Sequence, residues 1–162
     1  MTTLTSRYGS AVVTTPSDRE IHITRIFDAP AAVIFDAWTT PEHVRQWWGT
    51  PEAPLVVCDI DHKVGGEWRY VVRYPDGTEI GWHGTCLELD PPRRMVSTEV
   101  FEGFPDAEAV NTLTLTDQGG GSTVLAVTVL HSSKENRDGH LESGMEGGLQ
   151  IVLDRLEDLV RR

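Results

Sequence analysis

The sequence is poor in cysteine and contains no long apolar segment. Its 162 residues include only two cysteines, Cys58 and Cys86, each within a short apolar run. Two thiols without metal-ligand spacing predict neither a disulfide framework nor a zinc site, so we expect both to be buried and free. No apolar run approaches the roughly 20 residues that cross a bilayer. The sequence also does not begin with the basic segment and apolar core that are typical of a secretory signal. These features predict a cytoplasmic protein.

Positive charge is also scarce. The chain has 14 Lys and Arg residues against 25 Asp and Glu residues, for a net charge of −11. Binding to nucleic acid or to an anionic membrane requires clustered Lys and Arg, so this balance argues against both partners. Its length suits a single domain. We expect a flexible N-terminus over residues 1–9 and one domain over residues 10–162.

Motifs for nucleophilic or metal catalysis are missing. The six histidines lack the spacing of a zinc site, and no G-x-S-x-G motif occurs. We therefore assign no catalytic residue, cofactor or metal. Glu67, Glu79, Glu88 and Glu99 lie in strand-like runs, and burial of one of them would raise its pKa and suit it to acid–base chemistry. Spacing alone does not identify which one.

The most regular pattern is at the C-terminus. A capping box at Ser132–Glu135 begins the final helical region, for which a break near Gly139 is one alternative. From His140 to Arg162, apolar residues recur on one face of a helix, as expected for an amphipathic helix that packs on a sheet. Gly144, Gly147 and Gly148 interrupt its first half, and each glycine costs a helix about 1 kcal/mol relative to alanine. We expect this half to border a cavity; the alternative is a helix that simply tolerates its glycines.

The preceding segments predict a sheet for this helix to cover. Residues 20–27 read as a strand, residues 31–38 and 41–48 as two short helices, and residues 55–131 as six strands joined by tight turns. An antiparallel sheet with one apolar face buries it most simply by curling around the long helix. The prediction is an α+β fold of order β-α-α-β6-α, with a tapering space between sheet and helix.

Three segments resemble a known family. The runs FDAPAAVIFDAWTTPEHVRQWWG at 27–49, GGEWRYVVRYPDGTEIGWHG at 65–84 and GMEGGLQIVLDRLEDL at 144–159 are similar to the family named after the activator of the 90-kDa heat shock protein ATPase (AHSA1-like), of the START-like, or SRPBCC, superfamily. The resemblance covers about residues 10–160. It implies a helix-grip fold with an apolar cavity between the sheet and the long helix.

Aromatic and apolar side chains on these elements are candidates for the walls of such a cavity, because small-molecule sites are mostly apolar with a few polar groups. The alternative is that these side chains simply fill the core. The predicted ligand pocket comprises Trp47, Trp68, Tyr70, Trp82, His83, Phe101, Leu113, Leu115, His131, Met145 and Leu149.

The leading functional hypothesis is therefore a protein that binds a small hydrophobic molecule in an internal cavity. An enzyme of the polyketide cyclase/aromatase kind, in which one polar side chain moves protons in the same cavity, is the alternative. A module that interacts with a chaperone is a third, weaker one. The oligomeric state stays open, with a homodimer as one alternative.

Overall fold

A computed structural model describes residues 10–161, so the predicted flexible N-terminus lies outside the described residues. Eight strands form one antiparallel sheet in the order β1-β2-β8-β7-β6-β5-β4-β3. The strands are β1 Val12–Thr14, β2 Glu20–Phe27, β3 Leu55–Ile60, β4 Glu67–Arg73, β5 Glu79–Asp90, β6 Arg94–Phe101, β7 Ala109–Gly119 and β8 Ser122–His131. The short β1 pairs with β2 at one edge, as the polar N-terminal segment allows.

Four helices accompany the sheet: α1 Ala31–Thr39, α2 Pro41–Trp47, α3 Lys134–Glu142 and α4 Met145–Val160. Pro41 opens α2, where its missing N–H would have had no helical partner. Ser133 caps α3 by accepting a 3.0 Å hydrogen bond from the main-chain N–H of Asn136. The arrangement is the predicted α+β helix-grip fold, a curved antiparallel sheet with a long C-terminal helix.

The C-terminal region consists of two helices, and the break between them lies at Gly144 rather than near Gly139. Helix α3 ends at Glu142, and α4 begins after Gly144, whose φ of 83° is left-handed. That conformation is favourable only for glycine, so Gly144 ends one helix and redirects the chain into the next. Apolar residues keep helical spacing on both sides of Gly144, so the pattern alone does not indicate the break.

The main core lies between α4, α1 and the covered face of the sheet. Its most deeply buried side chains include Ile21, Phe27, Ile34, Leu125 and Leu156. Burial of such a side chain stabilises the fold by about 1.5–3 kcal/mol relative to its exposure. A second, smaller cluster packs α2 on β3 and β4 through Val44, Leu55, Cys58 and Val72, with Ala53 from the preceding loop. The region between these two clusters is where a cavity remains.

One buried charge cluster joins α4 to the sheet. The guanidinium of Arg25, on β2, lies 2.9 Å from the carboxylate of Asp154 and 3.6 Å from that of Glu157, both on α4. All three side chains are nearly inaccessible to solvent. Because such charges are costly to bury unless they are paired, the cluster fixes how α4 sits on the sheet. Within residues 10–161, no helix is long and apolar enough to span a bilayer.

Candidate ligand-binding cavity

A cavity of about 120 Å³ lies between the covered face of the sheet and the α1–α2 segment. Its walls come from α1, from the residue that follows α2, from strands β3 to β8 and from the β3–β4 loop. The lining residues are Trp38, Thr39, Trp48, Ile60, Asp61, His62, Gly66, Trp68, Tyr70, Cys86, Met95, Ser97, Glu99, Asn111, Leu113 and Val127. None of them belongs to α4. The helix glycines therefore do not border this cavity, which differs from our prediction.

Aromatic rings form one wall of the cavity. The ring of Tyr70 lies 5.1 Å from that of Trp48 and 4.8 Å from that of Trp68, measured between centroids. Tyr70 and Trp68 are two residues apart on β4 and therefore point to the same side of the sheet. Trp48 follows the last residue of α2 in an extended conformation, which directs its ring onto β4. Edge-on and tilted contacts at these distances are favourable for aromatic pairs.

The opposite part of the cavity is polar. Glu99 on β6 accepts a 2.7 Å hydrogen bond from the side-chain amide of Asn111 on the neighbouring strand β7. Burial raises the pKa of the Glu99 carboxyl, and the hydrogen bond from Asn111 offsets part of that rise. The side-chain oxygen of Asn111 is buried and has no hydrogen-bond partner. A desolvated carboxyl beside an incompletely satisfied amide is costly for folding, which favours a functional role for the pair.

Tyr70 and Ser97 add hydroxyl groups to the polar lining. Burial is the main reason why the pKa of Tyr70 lies well above its ordinary value, so its hydroxyl keeps its proton at neutral pH. The nearby Glu99 carboxyl adds to that rise. Ser97 lies on β6 two residues before Glu99 and faces the same cavity. No Lys or Arg is among the lining residues, so within the described chain the cavity wall has no permanently positive side chain.

Asp61 and His62 in the β3–β4 loop contribute to the cavity wall and are exposed, so the cavity reaches the surface at this loop. A shallow surface groove begins at the same place and shares Thr39 and His62 with the cavity. The groove continues along α1 towards Pro91 and Pro92. A molecule held in the cavity can thus extend a substituent into this groove.

Of the residues predicted to form the pocket, Trp68, Tyr70 and Leu113 line this cavity. Trp82 lies behind the cavity wall, with its ring 4.8 Å from Trp48. Trp47 is buried between α1 and α2, where its indole N–H donates a 2.9 Å hydrogen bond to the main-chain oxygen of Ala37. The adjacent Trp48 occupies the position that we had predicted for Trp47.

The remaining predicted pocket residues lie elsewhere. His83 is on the outer face of the sheet, 2.8 Å from the carboxylate of Glu102, and Phe101 is 40% exposed at the end of β6. His131 is buried and its ring contacts that of His140 on α3, with nitrogens 3.0 Å apart. Three further residues belong to the main core and not to the cavity: Leu115, Met145 and Leu149.

Sequence reasoning missed several residues of the cavity. Glu99 was one of four acidic candidates, and Ser97 and Asn111 were not considered. The alternation of Met95, Ser97 and Glu99 along β6 places all three on one side of the strand, which was the available indication. It could not be used because the register against β7, where Ser97 pairs with Asn111, was unknown. In residues 10–161, no three His, Cys, Asp or Glu side chains are grouped as metal ligands.

Comparison with protein families gives one decisive match. The model of the Activator of Hsp90 ATPase homolog 1-like protein family matches residues 28–161, most of the chain and all elements from α1 to α4. The chain belongs to this family. Membership in the Activator of Hsp90 ATPase homolog 1-like family confirms the resemblance seen in the three sequence segments.

Solved structures similar to this family member share its fold over most of their length. A protein from Rhodobacter sphaeroides superposes with a TM-score of 0.88 at 25% identity, covering 94% of this chain and 98% of that one. Protein Ms6760 from Mycobacterium smegmatis gives 0.80 at 24% identity, with 93% and 98% covered. CalU16 from Micromonospora echinospora is more distant, with a TM-score of 0.61 at 22% identity and 90% and 82% covered. No curated protein matches the chain.

Proposed function

We propose that the protein binds a small, mainly apolar molecule containing one ring, held in the cavity between the sheet and the α1–α2 segment. The observation that carries this proposal is the aromatic wall of Trp48, Trp68 and Tyr70 around an enclosed space. Concave, largely apolar sites with a few polar groups are typical of small-molecule binding. We also propose a cytoplasmic location for this binding, which the two free cysteines, Cys58 and Cys86, support.

The size of the cavity limits what it can enclose. An engineered apolar cavity of about 150 Å³ binds benzene, so about 120 Å³ accommodates roughly one six-membered ring. Sites for drug-sized ligands are larger, about 300–1,000 Å³. The enclosed part of the ligand is therefore one ring, and any longer substituent follows the groove past His62.

Thermal unfolding in the presence of single-ring compounds tests this proposal. A fragment at ten times its dissociation constant stabilises the folded state by about 1.4 kcal/mol, which raises the melting temperature of a chain of this size by about 3–6 °C. Ser97→Leu, which adds volume inside the cavity, is expected to abolish this rise. Thr116→Leu places the same side chain at an exposed position on β7 and should leave the rise unchanged.

Two results would contradict the proposal. One is a panel of benzene, toluene, phenol and cyclohexanol in which no compound raises the melting temperature. The other is a rise that persists in Ser97→Leu, because the compound would then bind outside the cavity. Native mass spectrometry of the protein purified from its own host adds an independent readout, a retained small molecule.

A second candidate function, an enzyme of the cyclase/aromatase kind, is favoured by one observation. Glu99 is a desolvated carboxyl with a raised pKa inside the cavity, as expected for a side chain that transfers protons. In such an enzyme, Glu99 would remove a proton from the carbon next to a ketone and return it elsewhere on the substrate. Exchange of the α-protons of cyclohexanone in D2O, followed by NMR, tests this step. Exchange no faster than in buffer, or equally fast in Glu99→Gln, would exclude it.

A further inference from the structure

The polar groups of the cavity specify more about the ligand than its size. The carboxyl of Glu99 has one hydrogen bond, from Asn111, and one of its oxygens remains without a partner among the described residues. The hydroxyl of Tyr70 likewise has no hydrogen bond within that part of the chain. One free acceptor and one free donor therefore border the same small space.

We propose that the ring bound in the cavity carries a hydroxyl group, which donates a hydrogen bond to Glu99 and accepts one from Tyr70. This inference rests on the proposed function and adds the chemical class of the ligand, a phenol or a cyclic alcohol. A hydroxyl is the group that matches both free partners, because it is one donor and an acceptor at once.

Rings with other common substituents, or with none, fit the polar groups of the cavity less well. A ring carboxylate or phosphate would face Glu99 with no Lys or Arg in the cavity wall to balance it. A protonated amine would satisfy Glu99 but could accept nothing from Tyr70, and both charges would have to lose water. A plain hydrocarbon ring would leave both polar groups without partners in an enclosed site, which is costly. A neutral hydroxyl avoids all three costs.

The two partners are held by rigid elements, which suits discrimination between ligands. Glu99 lies on β6 and Tyr70 on β4, in the continuous part of the sheet. Asn111 is a positioning residue that fixes the Glu99 carboxyl through its 2.7 Å hydrogen bond. The rings of Trp48 and Trp68 both pack against the Tyr70 ring. Neither polar group can turn far to recover a lost hydrogen bond.

Competitive titration of the wild-type protein, by ligand-observed NMR or calorimetry at pH 7, tests the inference with four matched probes. They are phenol, toluene, benzoate and benzylamine, each with one ring and one different substituent. Phenol is expected to bind about tenfold more tightly than toluene, the effect of a net gain of one to two hydrogen bonds. Benzoate and benzylamine are expected to bind at least tenfold more weakly than phenol.

Two pairs of variants assign the preference to the proposed partners. Tyr70→Phe removes only the hydroxyl and is expected to weaken phenol binding about threefold while leaving toluene unchanged. Tyr74→Phe makes the same change at an exposed position and should have no effect. Glu99→Met is expected to reduce the ratio of phenol affinity to toluene affinity below about twofold. Glu67→Met makes the same change at an exposed position and should preserve this ratio.

The possible outcomes separate this inference from the proposed function. If toluene binds as tightly as phenol, the cavity binds rings but the hydroxyl preference is wrong. Tighter binding of benzylamine or benzoate would also overturn the inference and would assign a charged ligand. If none of the four probes binds, both this inference and the proposed function fail. The wild-type comparison decides among these results even if a variant does not fold.

Discussion

Trp68 and Thr98 are connected across the strand that separates them. The indole N–H of Trp68, on β4, donates a 3.1 Å hydrogen bond to the main-chain oxygen of Thr98, on β6. The indole reaches that oxygen by passing over Gly84 on β5, the residue that pairs with Trp68. A Cβ atom at Gly84 would overlap the Thr98 oxygen and lie 2.7 Å from the indole nitrogen. The absence of a side chain at Gly84 therefore leaves the space that Trp68 needs to form this part of the cavity wall.

Substitution of Gly84 by alanine is expected to destabilise the protein strongly. The added methyl group meets main chain on β6, which cannot move without disturbing strand pairing. Overpacking of this kind costs about 1–3 kcal/mol or more, so we expect a melting temperature lower by about 2–12 °C. Thermal unfolding monitored by circular dichroism measures this change.

The matched control is Gly139→Ala on α3, where a Cβ atom would meet nothing within 4 Å. Alanine is about 0.8–1.0 kcal/mol more favourable than glycine in a helix interior, so this variant should be slightly more stable than the wild type. Equal stability of Gly84→Ala and Gly139→Ala would show that Gly84 is not required for close packing.

Periodicity was sufficient to predict the fold and one side of the cavity. The alternation in β4 placed Trp68 and Tyr70 on one face, and both line the cavity. The antiparallel meander of β3 to β8 followed from regularly spaced turns, and the paired short helices followed from Pro30 and Pro41. These patterns are local, so they are readable without knowledge of the partners of each strand.

The polar side of the cavity depends on long-range pairing and could not be predicted. Glu99 meets Asn111 only because β6 pairs with β7 in one register, and no local pattern fixes that register. The choice between Trp47 and Trp48 depended on where α2 ends, and helix ends are the least certain feature of a sequence pattern. Gly144 is a local indication of the helix break, but a glycine at this place in the pattern also fits a helix that borders a cavity.

Removal of the Arg25 charge is expected to be among the most destabilising substitutions. Arg25→Met would leave Asp154 and Glu157 facing each other's charge beneath α4, with side chains that are 9% and 3% exposed. Breaking a buried charge cluster by removing one partner costs about 3–5 kcal/mol. Urea unfolding at pH 7 measures the loss of free energy.

The matched control for Arg25→Met is Arg73→Met. Arg73 and Glu79 form an ion pair with side chains that are 55% and 47% exposed, and exposed pairs contribute about 0–1 kcal/mol. If Arg25→Met and Arg73→Met lose similar amounts of unfolding free energy, the buried cluster is not what fixes α4 to the sheet.

The contact between His131 and His140 predicts that stability falls in acid. Burial lowers the pKa of His131 and lowers that of His140 to about 4. The unfolded chain, with a His pKa of about 6.5, therefore binds more protons than the folded protein between about pH 6.5 and 4. The stabilising effect of the neutral pair is complete above that range and is lost as the pH falls through it.

Replacement of one histidine isolates this effect. In His140→Asn, we expect the loss of stability between pH 7 and 4 to be smaller than in the wild type by about 1–3 kcal/mol, measured by urea unfolding at several pH values. His22→Asn, on β2, controls for the loss of a histidine away from the pair. If the free energy of unfolding changes with pH in the same way in the wild type and in His140→Asn, the pair does not titrate as inferred.

The pairing of Glu99 with Asn111 predicts an unusual double-mutant cycle. Each single substitution, Glu99→Met or Asn111→Leu, leaves the other polar group buried without its hydrogen bond and is expected to cost about 1–3 kcal/mol. The double variant replaces both polar groups by apolar side chains of similar size and should be about as stable as the wild type, because such exchanges are nearly neutral. Unfolding free energies of the four proteins give the coupling energy directly. If the double variant loses the sum of the two single losses, the pair is not coupled, and the argument that it is maintained for ligand binding rather than for folding fails.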